Sequence, residues 1–262
     1  MTFRPRRVRV AHAYEQVSAE LEAQILDGRL RPGDRLPGEV ELAALFGVNR
    51  STVREGIRRL ESEGLVRRPT PRRLVVSAPR AGELASRTSR ALQLQQVTFL
   101  ELWHVALATE PLAADLAARQ AHPEDVAALQ DNQRRMEAAV AAPGADDPVK
   151  LDTEFHALVA TASGNRALQL AREPIGLLLY SGMALLAPRL PQAQGRQAEA
   201  HGRIVAAIAA RDADAAREWM RKHIVDYRRG HEMAGLPLDL PVAAPPARQA
   251  TGDPAATLRK DP

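Results

Sequence analysis

In the segment LDTEFHALVATASGN, Asp152 and His156 stand four residues apart, a spacing that puts both side chains on one face of a helix. Two more histidines follow on separate helical segments, His201 in EAHGRIVAAIAARD and His223 in REWMRKHIVDY. One carboxylate and three imidazoles are hard-to-borderline donors, and together they suit a divalent Zn, Ni, Mn or Fe ion. The Asp-x3-His pair taken alone is more often a surface pair or a coincidence of one helix face. Either later histidine alone is more often a satisfied or exposed side chain. For the ordered set, the competing arrangement is a metal-free pocket in which the same residues form a hydrogen-bond network.

A second constellation lies far upstream, in NRSTVREGIRRLESEGLVRR. Asn49, Arg50, Ser51, Thr52 and Arg54 crowd the first turn of a helix whose Val53, Ile57 and Leu60 face the other way. Side chains at a helix N-terminus reach base edges in the DNA major groove, and Arg matches the O6 and N7 acceptors of guanine. The hydroxyls of Ser and Thr, with the helix N-terminus itself, match phosphate oxygens. The bland alternative is the solvated basic face of an ordinary amphipathic helix.

The elements that must position these groups are sharply punctuated. Val17, Leu21, Ile25 and Leu26 recur at helical spacing over 13–27, and Gly28 closes that helix. After the turn-rich LRPGDRLPGE, Gly38 opens a short helix over 39–46 with Glu41 at its third position. Gly47-Val48 is a tight turn, Asn49 caps the next helix to about residue 62, and Gly64 stops it. Two short apolar strands, Leu65-Val66 and Leu74-Val75-Val76, flank the basic RRPTPRR. Helix, helix–turn–helix and basic hairpin make a winged helix-turn-helix. From residue 97 to about 235 the periodicity is helical throughout, with helices expected over 97–120, 124–141, 148–162, 166–186, 196–210 and 213–232. The fold class is therefore mainly α. The domain plan is a basic arm over 1–10, a winged helix over 11–78, a linker over 79–95 passing into a helix, an all-α domain over 96–235, and a Pro-rich disordered tail over 236–262.

Charge follows that division. Residues 1–90 hold 18 Arg and 11 acidic residues, whereas 91–262 hold 18 basic and 21 acidic ones. A basic first third on a mildly acidic remainder fits a nucleic-acid-binding head joined to a domain with another task. With no cysteine, disulfides, thiolate metal sites and Cys nucleophiles are excluded. The opening MTFRPRRVRV has no apolar run of the kind a secretory signal needs. The longest uncharged stretch, Pro174 to Pro188, is 15 residues, short of the roughly 20 that span a bilayer. A soluble, cytoplasmic protein without a membrane partner is expected.

Residues 14–76 resemble the DNA-binding domain of the GntR family of bacterial transcription regulators. The resemblance rests on Tyr14 to Val17, Arg31 to Pro37, Glu41-Leu42-Ala43, Phe46 to Glu55 and Leu60 to Val66. It implies that Arg50, Ser51, Thr52 and Arg54 contact the operator. Arg35, Asn49, Thr70, Arg72 and Arg73 complete the candidate DNA-contacting set. Departures are Val40 where the family often has Arg, Gly38 where a Ser usually caps the helix, and Pro71 and Arg73 where the wing tip commonly carries glycines.

Residues 97–232 resemble the ligand-sensing FCD domain of the FadR-like branch, through Asp152-x2-Phe155-His156, Ser163-Gly164-Asn165, His201, Ala206 to Ile208, Asp212-x2-Ala215-Ala216 and His223. The resemblance implies a divalent metal held by Asp152, His156, His201 and His223 inside an all-α bundle, with a carboxylate effector on the remaining positions. The family's first sensor helix often carries Arg four residues before a Glu. Glu110 fits that Glu, but position 106 is Ala. Either the effector is less acidic than usual, or its anion meets another residue such as Arg172 or Arg189. Trp103 fits core packing or the pocket, and His12, His104, His122 and His231 have no motif support.

The resulting expectation is a ligand-responsive repressor. It is a homodimer on a pseudo-palindromic double-stranded operator, and it responds to a small carboxylate or sugar acid. The rival is a metalloenzyme with an accessory DNA-binding domain. It has little support, since there is no GxSxG, HExxH or phosphate-binding glycine loop.

Overall fold

The computed structural model describes residues 12–71, 73–79, 81–142, 144 and 146–242. The chain divides into two compact units, Met1–Arg80 and Ala81–Pro262. The expected arm over 1–10, Arg72, and residues 243–262 of the tail lie outside the described residues.

The first unit runs α1 (Ala13–Leu26), β1 (Arg35–Leu36), α2 (Glu39–Phe46), α3 (Arg50–Glu63), β2 (Val66–Thr70) and β3 (Arg73–Val76). Its core joins Val17 and Leu21 of α1, Leu42 of α2 and the fully buried Val53, Ile57 and Leu60 of α3 to Val66 and Leu74 of the sheet. α3 crosses α1 closely at Gly56, where a Cβ would lie 3.0 Å from the Tyr14 carbonyl oxygen. Gly47 (φ 64°) and Gly64 (φ 80°) end α2 and α3 in the left-handed region that glycine enters without steric cost. The sheet is antiparallel in the order β1-β3-β2. Its strand β1, paired as Arg35↔Val75 and Leu36↔Leu74, is two residues long and hidden in what the sequence presents as a connector. β2 extends through Pro69 to Thr70, beyond the expected Leu65-Val66. Proline is tolerated there because β2 is an edge strand and its ladder shifts register between Arg67 and Thr70.

The second unit is built from helices among its described residues, α4 (Ala81–Leu94), α5 (Phe99–Gln120), α6 (Pro123–Ala141), α7 (Pro148–Ala162), α8 (Arg166–Leu186), α9 (Gln192–Ala209) and α10 (Ala213–Met233), with one isolated antiparallel bridge between Thr98 and Pro241. α5 is the central helix and packs on α7, α8, α9 and α10. Its buried face is largely alanine, at 106, 113, 114, 117 and 118, so neighbouring helices approach closely. Side-chain caps start α8 and α10 where the sequence predicts, with Asn165 and Asp212 accepting from backbone N–H groups of the first turn, and Thr98 caps α5, which starts two residues after the expected 97.

Three segments differ from expectation. α9 begins at Gln192, four residues before the expected 196, and has no side-chain cap to mark its start. Most of the expected linker over 79–95 is α4, which packs on α8 through the buried Ala85 and Ser89. The start of the expected tail, 236–242, folds back on α5. The Leu100 N–H donates to the Leu238 carbonyl at 2.9 Å and the Val242 N–H to the Val97 carbonyl at 3.0 Å. The first of these satisfies an N–H in the opening turn of α5 that has no partner within the helix.

Candidate functional site

In the first unit, the opening turn of α3 is built on Asn49. Its Oδ1 accepts from the Thr52 N–H at 2.8 Å and from the hydroxyls of Ser51 at 2.6 Å and Thr52 at 2.8 Å. All three residues are thus engaged in the cap while Arg50 and Arg54, four apart, project from the exposed side. Both arginines turn to Glu39 at the start of α2. Arg50 Nε lies 3.1 Å and Arg54 Nη2 3.3 Å from Oε2, while Arg68 Nη2 of β2 lies 2.9 Å from Oε1. Burial pushes the Glu39 carboxyl up, but the three guanidinium groups outweigh it and hold it below the usual carboxylate range. Arg68 also pairs with Glu61 at 2.8 Å. Thr70 and Arg73 are exposed and paired across the hairpin. Arg35 is exposed on β1, at the opposite sheet edge from β2.

Sequence reasoning misses Glu39 and Arg68. The available signal is a carboxylate in a basic neighbourhood, but three elements must fold together before it meets its partners.

In the second unit, Asp152 and His156 of α7, His201 of α9 and His223 of α10 meet in the bundle interior, with one ligand atom from each within 4.8 Å of the others. All four are buried, His201 completely. Nε2 of His223 lies 3.1 Å from Nε2 of His156 and 3.3 Å from Nε2 of His201, which in turn lies 3.4 Å from Asp152 Oδ1. Phe155 stacks on His201 with centroids 3.7 Å apart and fixes that ring.

Tip-to-tip imidazole nitrogens cannot all satisfy one another, because a single His223 nitrogen is shared by two neighbours and each ring offers there only a lone pair or a proton. Asp152 Oδ1 is buried without a hydrogen-bond partner. Donor separations of 3.1–3.4 Å are those of two ligands about 2.1 Å from one ion, meeting at roughly 95–110°. The donor set therefore fits a divalent metal.

The surroundings support that fit. His156 Nδ1 lies 2.9 Å from Glu110 Oε2. A carboxylate behind a ligating histidine selects the Nδ1–H tautomer and points the Nε2 lone pair at a metal. Glu110 is itself buried and pairs through Oε1 with Arg172 Nε at 2.9 Å. Burial pushes the Glu110 carboxyl up, but its pairs with His156 and Arg172 hold it down at about 2; the pair with Glu110 raises the pKa of His156 against its burial, so a metal on Nε2 would displace a proton there. Burial lowers the pKa of His201, and of His223 further still with help from the neighbouring rings. Both thereby stay neutral, the form that binds metal.

These groups open on a small pocket of about 30 Å³ that Ala106, Glu110, Arg172 and Gly176 also line. Arg172 is thus in the pocket, whereas Arg189 is exposed and bonded to the Leu185 carbonyl at 3.0 Å. Trp103 is core: it is buried and donates from Nε1 to the Ile224 carbonyl at 2.8 Å. His12, His104 and His122 are exposed. His231 is buried, stacked on Phe99 at 3.9 Å. The sequence points to Glu110 only as part of a motif. Its place on the alanine face of α5 is the further signal, since a buried charge there requires partners.

A winged helix-turn-helix presenting arginines, followed by a helical bundle with a buried polar pocket, defines a DNA-binding transcriptional regulator with a sensor domain. Comparison with known proteins agrees. The model of bacterial regulatory proteins of the gntR family matches residues 13–76, and that of the FCD domain matches residues 101–226. The chain is 30% identical over 207 residues to the HTH-type transcriptional regulator LutR of Bacillus subtilis, covering 77% of this chain and 93% of LutR. It is 29% identical over 229 residues to the Uxu operon transcriptional regulator of Escherichia coli, covering 82% and 85%. Among solved structures, Streptococcus agalactiae GntR superposes with a TM-score of 0.61 at 28% identity over 82% of this chain and 99% of that one. The chain belongs to the GntR family of bacterial transcriptional regulators, with a C-terminal FCD domain. These relatives are regulators and not enzymes. No helix among the described residues is long and apolar enough to cross a membrane.

Proposed function

We propose that this protein is a metal-dependent, ligand-responsive repressor. Asp152, His156, His201 and His223 hold one divalent ion, and the adjoining pocket takes a small carboxylate effector. The observation that carries this reading is the convergence of one carboxylate and three imidazole nitrogens, backed by the Glu110–His156 hydrogen bond. A bound divalent ion supplies electrostatic attraction for an anionic ligand. The protein's own residues exclude water, orient His156 and set a cation, Arg172, beside the site.

The head reads double-stranded operator DNA through Arg50 and Arg54, with Asn49, Ser51 and Thr52 shaping the turn that presents them. Arg35, Thr70, Arg72 and Arg73 supply phosphate contacts. Acting as a cytoplasmic homodimer, the protein recognises a pseudo-palindromic site. Effector binding lowers operator affinity by a coupling of about 1–3 kcal/mol, and by linkage DNA lowers effector affinity equally.

A thermal-shift screen of zinc-loaded protein against small carboxylates and sugar acids, repeated after chelation, tests this. A ligand at about 100 times its dissociation constant adds roughly 2.7 kcal/mol. The expected result is a stabilisation that chelation abolishes. A flat screen in which chelation alone lowers the melting point makes the metal structural and overturns the effector assignment.

A further inference from the structure

Two neighbouring amides of α6 brace the helices that carry the metal-ligand candidates. Asn132 and Gln133 are both buried, in a helix that packs on α7 and α9. Asn132 Nδ2 donates at 3.1 Å to the carbonyl of Leu151, the residue before Asp152 on α7. Gln133 Nε2 donates at 2.9 Å to the carbonyl of Ala198 on α9, one turn before His201, and at 2.7 Å to Glu137 Oε1. Gly202, the residue after His201, gives that amide its place: a Cβ there would lie 3.2 Å from Gln133 Nε2. Each NH2 group faces atoms that can only accept, so each amide has one orientation, with its oxygen turned away from those acceptors.

Both oxygens are left over. Asn132 Oδ1 and Gln133 Oε1 are buried with no hydrogen-bond partner among the described residues, and so is His201 Nδ1. The His201 ring is stacked on Phe155 of α7, and its Nε2 is directed at Asp152 and His223. When Nε2 gives its lone pair to a metal, the ring proton sits on Nδ1, which then needs an acceptor. Between α6, α7 and α9 the unpaired groups are thus one donor and two acceptors. One water molecule matches them, accepting from the ring and donating a hydrogen to each oxygen.

We infer that Asn132 and Gln133 are positioning residues of the metal site: through one buried water their oxygens hold the His201 Nδ1–H, and this fixes the tautomer that presents Nε2 to the ion. The inference rests on the metal-binding reading above and deepens it. It gives His201 on α9 what Glu110 gives His156 on α7, a partner behind the ring, here with neutral amides in place of a carboxylate.

The test is the zinc affinity of the full-length protein, measured by competition with a chromophoric chelator, for wild type, Asn132→Leu and Asn132→Asp. Both variants lose the amide bond to the Leu151 carbonyl, and only Asp keeps an oxygen that accepts. Asn132→Leu should bind zinc about tenfold to a hundredfold more weakly than wild type, and Asn132→Asp within about threefold of it. Should Asn132→Leu fail to fold, Gln133→Met removes the other oxygen and takes its place. In the wild-type zinc protein, long-range proton–nitrogen spectra of isotope-labelled histidine, assigned with His201→Ala, should put the His201 proton on Nδ1. Zinc held by Asn132→Leu as tightly as by wild type, or a His201 proton on Nε2, overturns the positioning role and leaves the metal site standing. Asn132→Asp as weak as Asn132→Leu makes Asn132 a brace for α7 alone and overturns it too. Wild-type protein that binds no zinc overturns the metal reading and this inference with it.

Discussion

Arg54 and Arg50 are held by Glu39 in a way that makes them available only in exchange for a charged partner. Nonspecific phosphate contact must compete with that carboxylate, while a guanine edge met in good geometry adds about 1–3 kcal/mol. Arg54→Ala should therefore cost at least tenfold in operator affinity with the helical circular dichroism unchanged, and unaltered affinity in a binding assay would refute the recognition-helix assignment. Glu39→Gln should do the reverse for random DNA. Affinity for nonspecific duplex rises, its salt dependence steepens, and the specific-to-nonspecific ratio falls. A variant with the wild-type ratio would show that Glu39 does not tune the arginines. In the sensor, His231 lies under Phe99 and Tyr227, and burial lowers its pKa to about 4 from the ordinary value of about 6.5. The folded state thus resists a proton that the unfolded chain accepts. As pH falls from about 6.5 to about 4, the unfolded state is favoured progressively, on the order of 3 kcal/mol in all. Chemical denaturation across that range should show the loss in wild type and a smaller one in His231→Leu; equal slopes would contradict the assignment.

α4 joins the two functions along the chain, because it follows residue 80 directly and lies on α8, the helix of Arg172. The buried Ser89 hydroxyl donates to the Pro174 carbonyl at 3.1 Å. Pro174 has no N–H to give its own helix, so α8 has a soft point two residues from Arg172. Ser89→Ala should leave effector affinity and operator affinity each within about threefold of wild type but reduce the effect of one on the other. Full coupling in the variant, measured by operator titrations with and without effector, would exclude this link. α7, α8 and the start of α10 were legible because their ends carry strong signals, whereas α9 starts four residues before the expected 196 without a side-chain cap. Pro148, Gly164, Asn165 and Asp212 give 148–162 and 166–186 the bounds the structure has, and the start of α10 as well. α4 was legible only as a helix that the linker passes into, and its start at Ala81 was missed, since its buried positions are Ala85 and Ser89, too small and polar to make an apolar stripe. Their burial comes only from α8. β1 has two residues and exists because Arg35 and Leu36 find β3. The four metal-ligand candidates were legible by residue type and order, whereas Glu110, Arg172 and Gly176 form a group only when α5 meets α8.

Across the chain, the charge split follows the two compact units. The arginine-rich head suits a polyanion, and the remainder is mildly acidic. Because the proposed DNA-reading helix α3 and the sensor's donor set belong to separate cores, the two tasks should be separable by mutation. The central claim is that Asp152, His156, His201 and His223 form one divalent-metal site that serves sensing and not folding of the head. The measurement that tests it most directly is zinc content per chain after exhaustive dialysis, for wild type and His201→Ala, read beside operator affinity of both proteins after a chelator has stripped the metal. The account predicts one zinc per wild-type chain, little or none in His201→Ala, and operator affinities for the two metal-free proteins that agree within about threefold. Equal zinc in both proteins, or wild type that retains none, would contradict it.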